Sequence, residues 1–121
     1  MRKETIRTLS MKLNFERTHG VVIVTSCARI DGSNARAFEC ALCEIVQEGD
    51  RALVVDFELL KYISSAGLRA ILLTAKNLEE RAVGFCLCEI EPHVRKLFAI
   101  GVDEVVSIHK TRDEAVASLS G

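Results

Sequence analysis

Three apolar runs, at 21–24 (VVIV), 52–57 (ALVVDF) and 85–88 (FCLC), alternate with stretches whose apolar residues recur at helical spacing. A run apolar at every position suits a strand buried on both faces, and such strands belong to sheets covered by helices. Phe38, Ala41, Leu42 and Ile45 follow the i, i+3, i+4, i+7 rule, and Leu68, Ile71, Leu72, Ala75 and Leu78 form a second stripe. Val94, Leu97 and Phe98 give a shorter one after Pro92, which suits the first turn of a helix. Gly49-Asp50 and Gly101 close the first and third of these helices. Residues 12–17 alternate weakly and are expected as an edge strand, and 105–108 as a last short strand. Thr111 with Glu114 is a capping box for a final helix, with Ala115 and Leu119 on its apolar face. The expected order is β-β-α-β-α-β-α-β-α: an α/β domain with a mainly parallel central sheet, an edge strand and about four helices.

A chain of 121 residues fits one such domain. It is expected over 12–120, with 1–11 as an N-terminal tail carrying Arg2, Lys3 and Arg7. Sixteen basic residues against seventeen acidic ones leave no basic excess for a nucleic-acid partner. No apolar run reaches the roughly 20 residues that span a bilayer, and the basic start lacks the apolar centre of a secretory signal, so a cytoplasmic location is expected. The five cysteines, Cys27, Cys40, Cys43, Cys86 and Cys88, lie in apolar runs or on apolar helix faces and read as small core hydrophobes. Cys86 and Cys88, two apart in a strand, point to one face. The C-x-x-C of Cys40 and Cys43 has no second pair and no neighbouring histidine, so no metal is expected.

Ser64-Ser65-Ala66-Gly67 stands between a buried strand and an amphipathic helix. One serine there is ordinarily an N-cap. An exposed hydroxyl at the same place is also a candidate phosphoryl acceptor, because free N–H groups and the helix dipole favour negative charge. The two readings combine if Ser64 caps and Ser65 faces solvent. A nucleophilic serine has less support: the G-x-S-x-G elbow is absent, and His19, His93 and His109 show no spacing that points to Ser65. Neither a P-loop nor a dinucleotide fingerprint occurs. Glu79-Glu80 reads as solvated charge, and Asp56 as a strand-end carboxylate bonded to nearby backbone. Asp31-Gly32-Ser33-Asn34 is a loop of turn formers, in which Ser33 or Asn34 could cap the helix that follows.

The stretch LVVDFELLKYISSAGLR, 53–69, resembles the signature of the STAS domain family, and within it the bacterial anti-sigma factor antagonists. RIDGSNA at 29–35 resembles the family's loop before its first helix, and IEPHVRKLF at 90–98 with Gly101 resembles a later segment, so that the similarity runs from about 12 to 120. The resemblance implies that Ser65 is the serine phosphorylated by a partner kinase. It implies that Asp31, Gly32, Ser33 and Asn34 join Ser64, Ser65, Ala66, Gly67 and Arg69 in one partner-binding surface. The chain would then be a non-enzymatic switch in transcription regulation. It would need no cofactor, act as a monomer or weak dimer, and dock on an anti-sigma factor or related serine protein kinase. Ser64 stands where many members carry aspartate, and Ala66 where many carry a second serine. The alternative is a non-phosphorylated STAS scaffold or a subunit of a larger regulatory or lipid-transport complex.

Overall fold

The computed structural model describes residues 2–7, 11–99 and 101–119. Its centre is the sheet announced by the three apolar runs: β3 (Val21–Thr25), β5 (Ala52–Asp56) and β7 (Gly84–Cys88) lie side by side and parallel. Strand β8 (Ser107–His109) extends this parallel set beyond β7. On the other side β2 (Lys12–Thr18) pairs antiparallel with β3 through the His19-Gly20 turn, where φ is +50° and +79°. The α/β architecture expected from the sequence is therefore the one found.

Beyond β2 lies β1 (Arg2–Arg7), paired antiparallel from Arg2↔Arg17 to Arg7↔Lys12. The segment expected as a tail thus supplies a sheet strand, and β2 is not an edge. Periodicity could not show this, because a strand of mostly charged residues carries no apolar signal. The rest of the expected tail, residues 1 and 8–10, lies outside the described residues, as do 120 and 121 at the other end.

Side chains alternate across the strands. Val22, Val24, Leu53, Val55 and Leu87 enter the larger core, while Val21, Ile23, Ala52, Val54, Cys86 and Cys88 enter a smaller one. Helices α1 (Ala35–Ile45), α2 (Ser65–Glu80), α3 (Pro92–Phe98) and α4 (Val102–Val105) all bury residues in the larger core. There Phe57 lies between Phe38 and Phe98, with ring centroids 6.4 and 5.7 Å away. Helix α5 (Arg112–Ser118) places Ala115 in the smaller core, with Val116 and Leu119 packed beside it. Its cap is the expected one: Thr111 Oγ1 accepts from Glu114 N at 3.1 Å.

The stripe of α1 is buried as expected, but α1 ends at Ile45, before Gly49-Asp50. Its terminal carbonyls are met by arginines, with Arg17 Nη2 donating to Ile45 O and Arg81 Nη2 to Val46 O, each at 2.7 Å. Leu72 and Leu97, expected in the core, are exposed, and Gly67, Ala70 and Thr74 are buried on α2 instead. Val105, expected to open the last strand, ends α4 with its side chain in solvent. Gly101, at φ +117°, precedes α4 as its N-cap.

Candidate functional site

Two strands of two residues each, β4 (Arg29–Ile30) and β6 (Tyr62–Ile63), build the site. They pair in parallel as a separate small sheet, Arg29 opposite Tyr62 and Ile30 opposite Ile63. Each leads straight into a helix, β4 through the Asp31 loop into α1 and β6 through Ser64 into α2. The ladder is extended by Lys61 N to Ala28 O at 2.8 Å and Ser64 N to Ile30 O at 2.9 Å. Ile30 and Ile63 are buried beneath it. Two loops distant in sequence are thereby joined backbone to backbone.

Ser64 and Ser65 divide the two expected roles. Ser64 is the N-cap of α2: its backbone is extended (φ −92°, ψ 175°), and its Oγ accepts from Gly67 N at 3.3 Å. Ser65 is the first helical residue and is exposed, as are Ala66 and Arg69. Gly67 is buried where the helix meets the small sheet. A Cβ there would lie 2.5 Å from Ile63 Cγ1, 2.9 Å from Ile30 Cγ2 and 3.1 Å from Ile30 O. Only glycine lets α2 begin so close to both strands.

In the facing loop, Asp31 Oδ1 accepts from Ser33 N at 2.9 Å and from Ser33 Oγ at 2.5 Å, and Oδ2 accepts from Arg29 Nε at 2.6 Å. The Ser33 hydroxyl first, then Arg29, holds the Asp31 carboxyl down at about 2. Asn34 is the N-cap of α1 by position but makes no side-chain cap bond. Its Oδ1 accepts from Asp31 N and its Nδ2 donates to Arg29 O, both at 2.9 Å, so that it ties the loop to β4. Gly32 and Ser33 are exposed at the tip. All nine residues expected at the partner surface thus lie in the two loops joined by β4 and β6, or on the first turns of α2.

Sequence reasoning missed the residues flanking this patch. The Arg29 guanidinium lies over the Tyr62 ring, 4.3 Å from its centroid. Lys61 pairs with Glu91, whose carboxyl is held below its usual range chiefly by that hydrogen bond, and His93 Nδ1 stands 3.4 Å from the same carboxylate. The start of α3 is thereby attached to the segment leading into the serine turn. Leu59 and Tyr62 expose large apolar surface on that segment. The available signal was the chain's single tyrosine, two residues before Ser64.

Asp56 does more than the expected backbone bonding. It accepts from Glu58 N at 2.8 Å and also from Arg112 Nε at 2.9 Å, and Arg112 Nη1 stands 3.6 Å from Glu16. It therefore fastens the end of β5 to α5. Among the described residues no group of three or more His, Cys, Asp or Glu could hold a metal, and no helix is long and apolar enough to cross a membrane.

The family model of the STAS domain matches residues 12–115. The chain belongs to the STAS domain family. It is 38% identical over 109 residues to BtrV of Bordetella bronchiseptica, named as an anti-sigma factor antagonist, across 89% of this chain and 94% of that one. It is 23% identical over 103 residues to the anti-sigma-F factor antagonist RsfB of Mycobacterium tuberculosis, across 85% and 84%. In fold this STAS domain is similar to the Bacillus cell fate determinant SpoIIAA in its phosphorylated form, with a TM-score of 0.66 and 22% identity over 89% of this chain and 99% of that one.

Proposed function

We propose that this STAS domain is an anti-sigma factor antagonist whose docking surface is the joined pair of loops at Asp31 and Ser65, and that phosphorylation of Ser65 controls it. The observation that carries this reading is the placement of an exposed serine as the first residue of α2, just beyond a strand paired with the one that leads into the Asp31 loop. Unphosphorylated, the surface docks on an anti-sigma factor or related serine kinase and so frees a sigma factor or another regulator. In the kinase step the Ser65 hydroxyl loses its proton and takes the γ-phosphoryl group of ATP, and ADP leaves. The product gains nearly two negative charges at neutral pH on the docking face. The fold tolerates them, since the free N–H groups and dipole of α2 favour an anion. Partner binding does not, because repulsion and desolvation of a dianion oppose contact.

Support comes from the names of BtrV and RsfB and from a relative in fold that exists in a phosphorylated form. Ser64 accepts the cap bond that an aspartate would accept, so the cap survives in its absence and only a charge is missing. The test is incubation with ATP and candidate anti-sigma kinases, with the phosphate mapped by mass spectrometry and partner binding measured for S65A and S65D. Phosphate at Ser65, with binding lost in S65D and kept in S65A, is expected. Phosphate at another residue rejects the switch. The missing charge at position 64 favours a second reading, an unswitched scaffold, in which S65D binds as well as the parent chain.

A further inference from the structure

Arg29 occupies an unusual position among the cations of this face. It sits on β4, directly opposite Tyr62, and its guanidinium carbon already lies over that ring while its Nε donates to Asp31. A planar group held in one orientation loses less freedom on forming a two-pronged contact than a free side chain does. Its present partner, Asp31, does not depend on it: that carboxylate also accepts two hydrogen bonds from Ser33, and Ser33 contributes more than Arg29 to keeping it ionised. The Arg29–Asp31 pair is exposed, with 64% of the arginine side chain accessible, and exposed pairs contribute little stability. The chain beyond Tyr62 runs through Ser64, which is bonded to Ile30 O, to Ser65, so Asp31 and the two serines follow directly on the paired strands.

A phosphate on Ser65 would therefore arrive one residue beyond the ladder that carries Arg29 and Asp31, with the Arg29 guanidinium already at the Tyr62 ring and the Asp31 carboxylate. Phosphate offers arginine a bidentate, doubly charged partner, which outcompetes a singly charged carboxylate that has other donors. Resting on the reading of Ser65 as the acceptor, we propose that phosphorylation draws Arg29 from Asp31 onto the Ser65 phosphate, making Arg29 the phosphoserine-binding residue of this chain. Arg69, exposed one helical turn from Ser65, lines the groove between α1 and α2 with Arg36 and Glu39 and is the competing cation that the experiment separates from Arg29. The exchange leaves Asp31 with Ser33 alone. It thereby changes the shape and charge of the docking loop as well as adding charge at position 65.

The experiment uses the full chain with phosphoserine installed at position 65 during synthesis, so that no kinase is required. Phosphorus NMR then follows the second ionisation of the phosphate, ordinarily near pH 6. The start of α2 pulls that ionisation down in every variant, Asp31 pushes it up, and a bound guanidinium pulls it down further. The expected result is a midpoint at least about half a unit below the ordinary value, raised clearly in R29Q and left low in R69Q. R29K is expected to fall between, since it keeps the charge without the fork. The Arg29 side-chain N–H signal should shift on phosphorylation in the parent chain. An ordinary or raised midpoint in the parent chain, or an equal response to R29Q and R69Q, overturns the assignment. Those results would leave the docking reading standing, whereas a Ser65 that no kinase modifies removes that reading whatever the NMR shows.

Discussion

At the scale of single residues, Gly67 carries the tightest constraint in the site. A methyl group there must displace Ile63 Cγ1 and Ile30 Cγ2, both in buried side chains, and approach a backbone carbonyl. G67A should lose about 1–3 kcal/mol from overpacking, more than any gain in helix propensity, as read from denaturant melts. Partner binding should weaken beyond the loss of folded protein, because the strands being pushed apart carry both loops. Asp31 makes a different prediction. Its folded value of about 2 lies below the ordinary 3.8, so the stability it contributes is complete above roughly pH 4 and is lost as pH falls toward 2. A carboxyl-carbon NMR titration should find its midpoint near 2, and D31N should abolish that acid-limb contribution. Ser64 and Ser65 were legible as cap and exposed hydroxyl because capping is local chemistry. Arg29 over Tyr62 was not, since their meeting depends on a two-residue parallel pair too short to leave any periodicity.

At the scale of elements, helix starts and ion pairs decide which segments hold. Removing the α2 cap with S64A should cost about 1 kcal/mol, and S64D should restore it, because either side chain can accept from Gly67 N. Thermal melts of the two variants separate the cap from the charge. Asp56 and Arg112 form the other fixed point. The Asp56 side chain is 2% exposed and that of Arg112 is 32%, so R112A strands a buried carboxylate with Glu58 N as its remaining donor. The loss should sit near 3 kcal/mol, the low end for a broken buried pair, because Arg112 is partly screened by water. The three buried strands and the main stripes of α1 and α2 were legible because tertiary packing reinforced their periodicity. Val105 misled because a β-branched residue next to Val106 reads as strand, whereas the turn opened by Gly101 continues as α4. Leu72 and Leu97 misled because stripe counting marks a face wider than the neighbouring elements cover.

At the scale of the whole molecule, the sheet divides the chain into a thick layer of four helices and a thin layer under α5. Cys86 and Cys88 lie in the thin layer, where burial pushes their thiols up to about 11 and about 12. In the native protein at pH 8 they should react far more slowly with a thiol reagent than partly exposed Cys40, with denaturant bringing both to ordinary rates, as counted by mass spectrometry. At the other end of the sheet, β1 covers the free side of β2. Deleting residues 1–10 should leave a folded domain with an open strand edge and a concentration-dependent tendency to associate, measurable by light scattering. The small sheet of β4 and β6 has a wider consequence. Many kinase substrates present their serine on a pliable segment that can be read as a string of letters. Here the neighbourhood of Ser65 is written by two stretches of chain that meet only in the folded state. If Ser65 is the acceptor as proposed, its kinase reads a shape, and a synthetic peptide spanning 58–72 should be ignored where the intact protein is phosphorylated, as measured by phosphate incorporation.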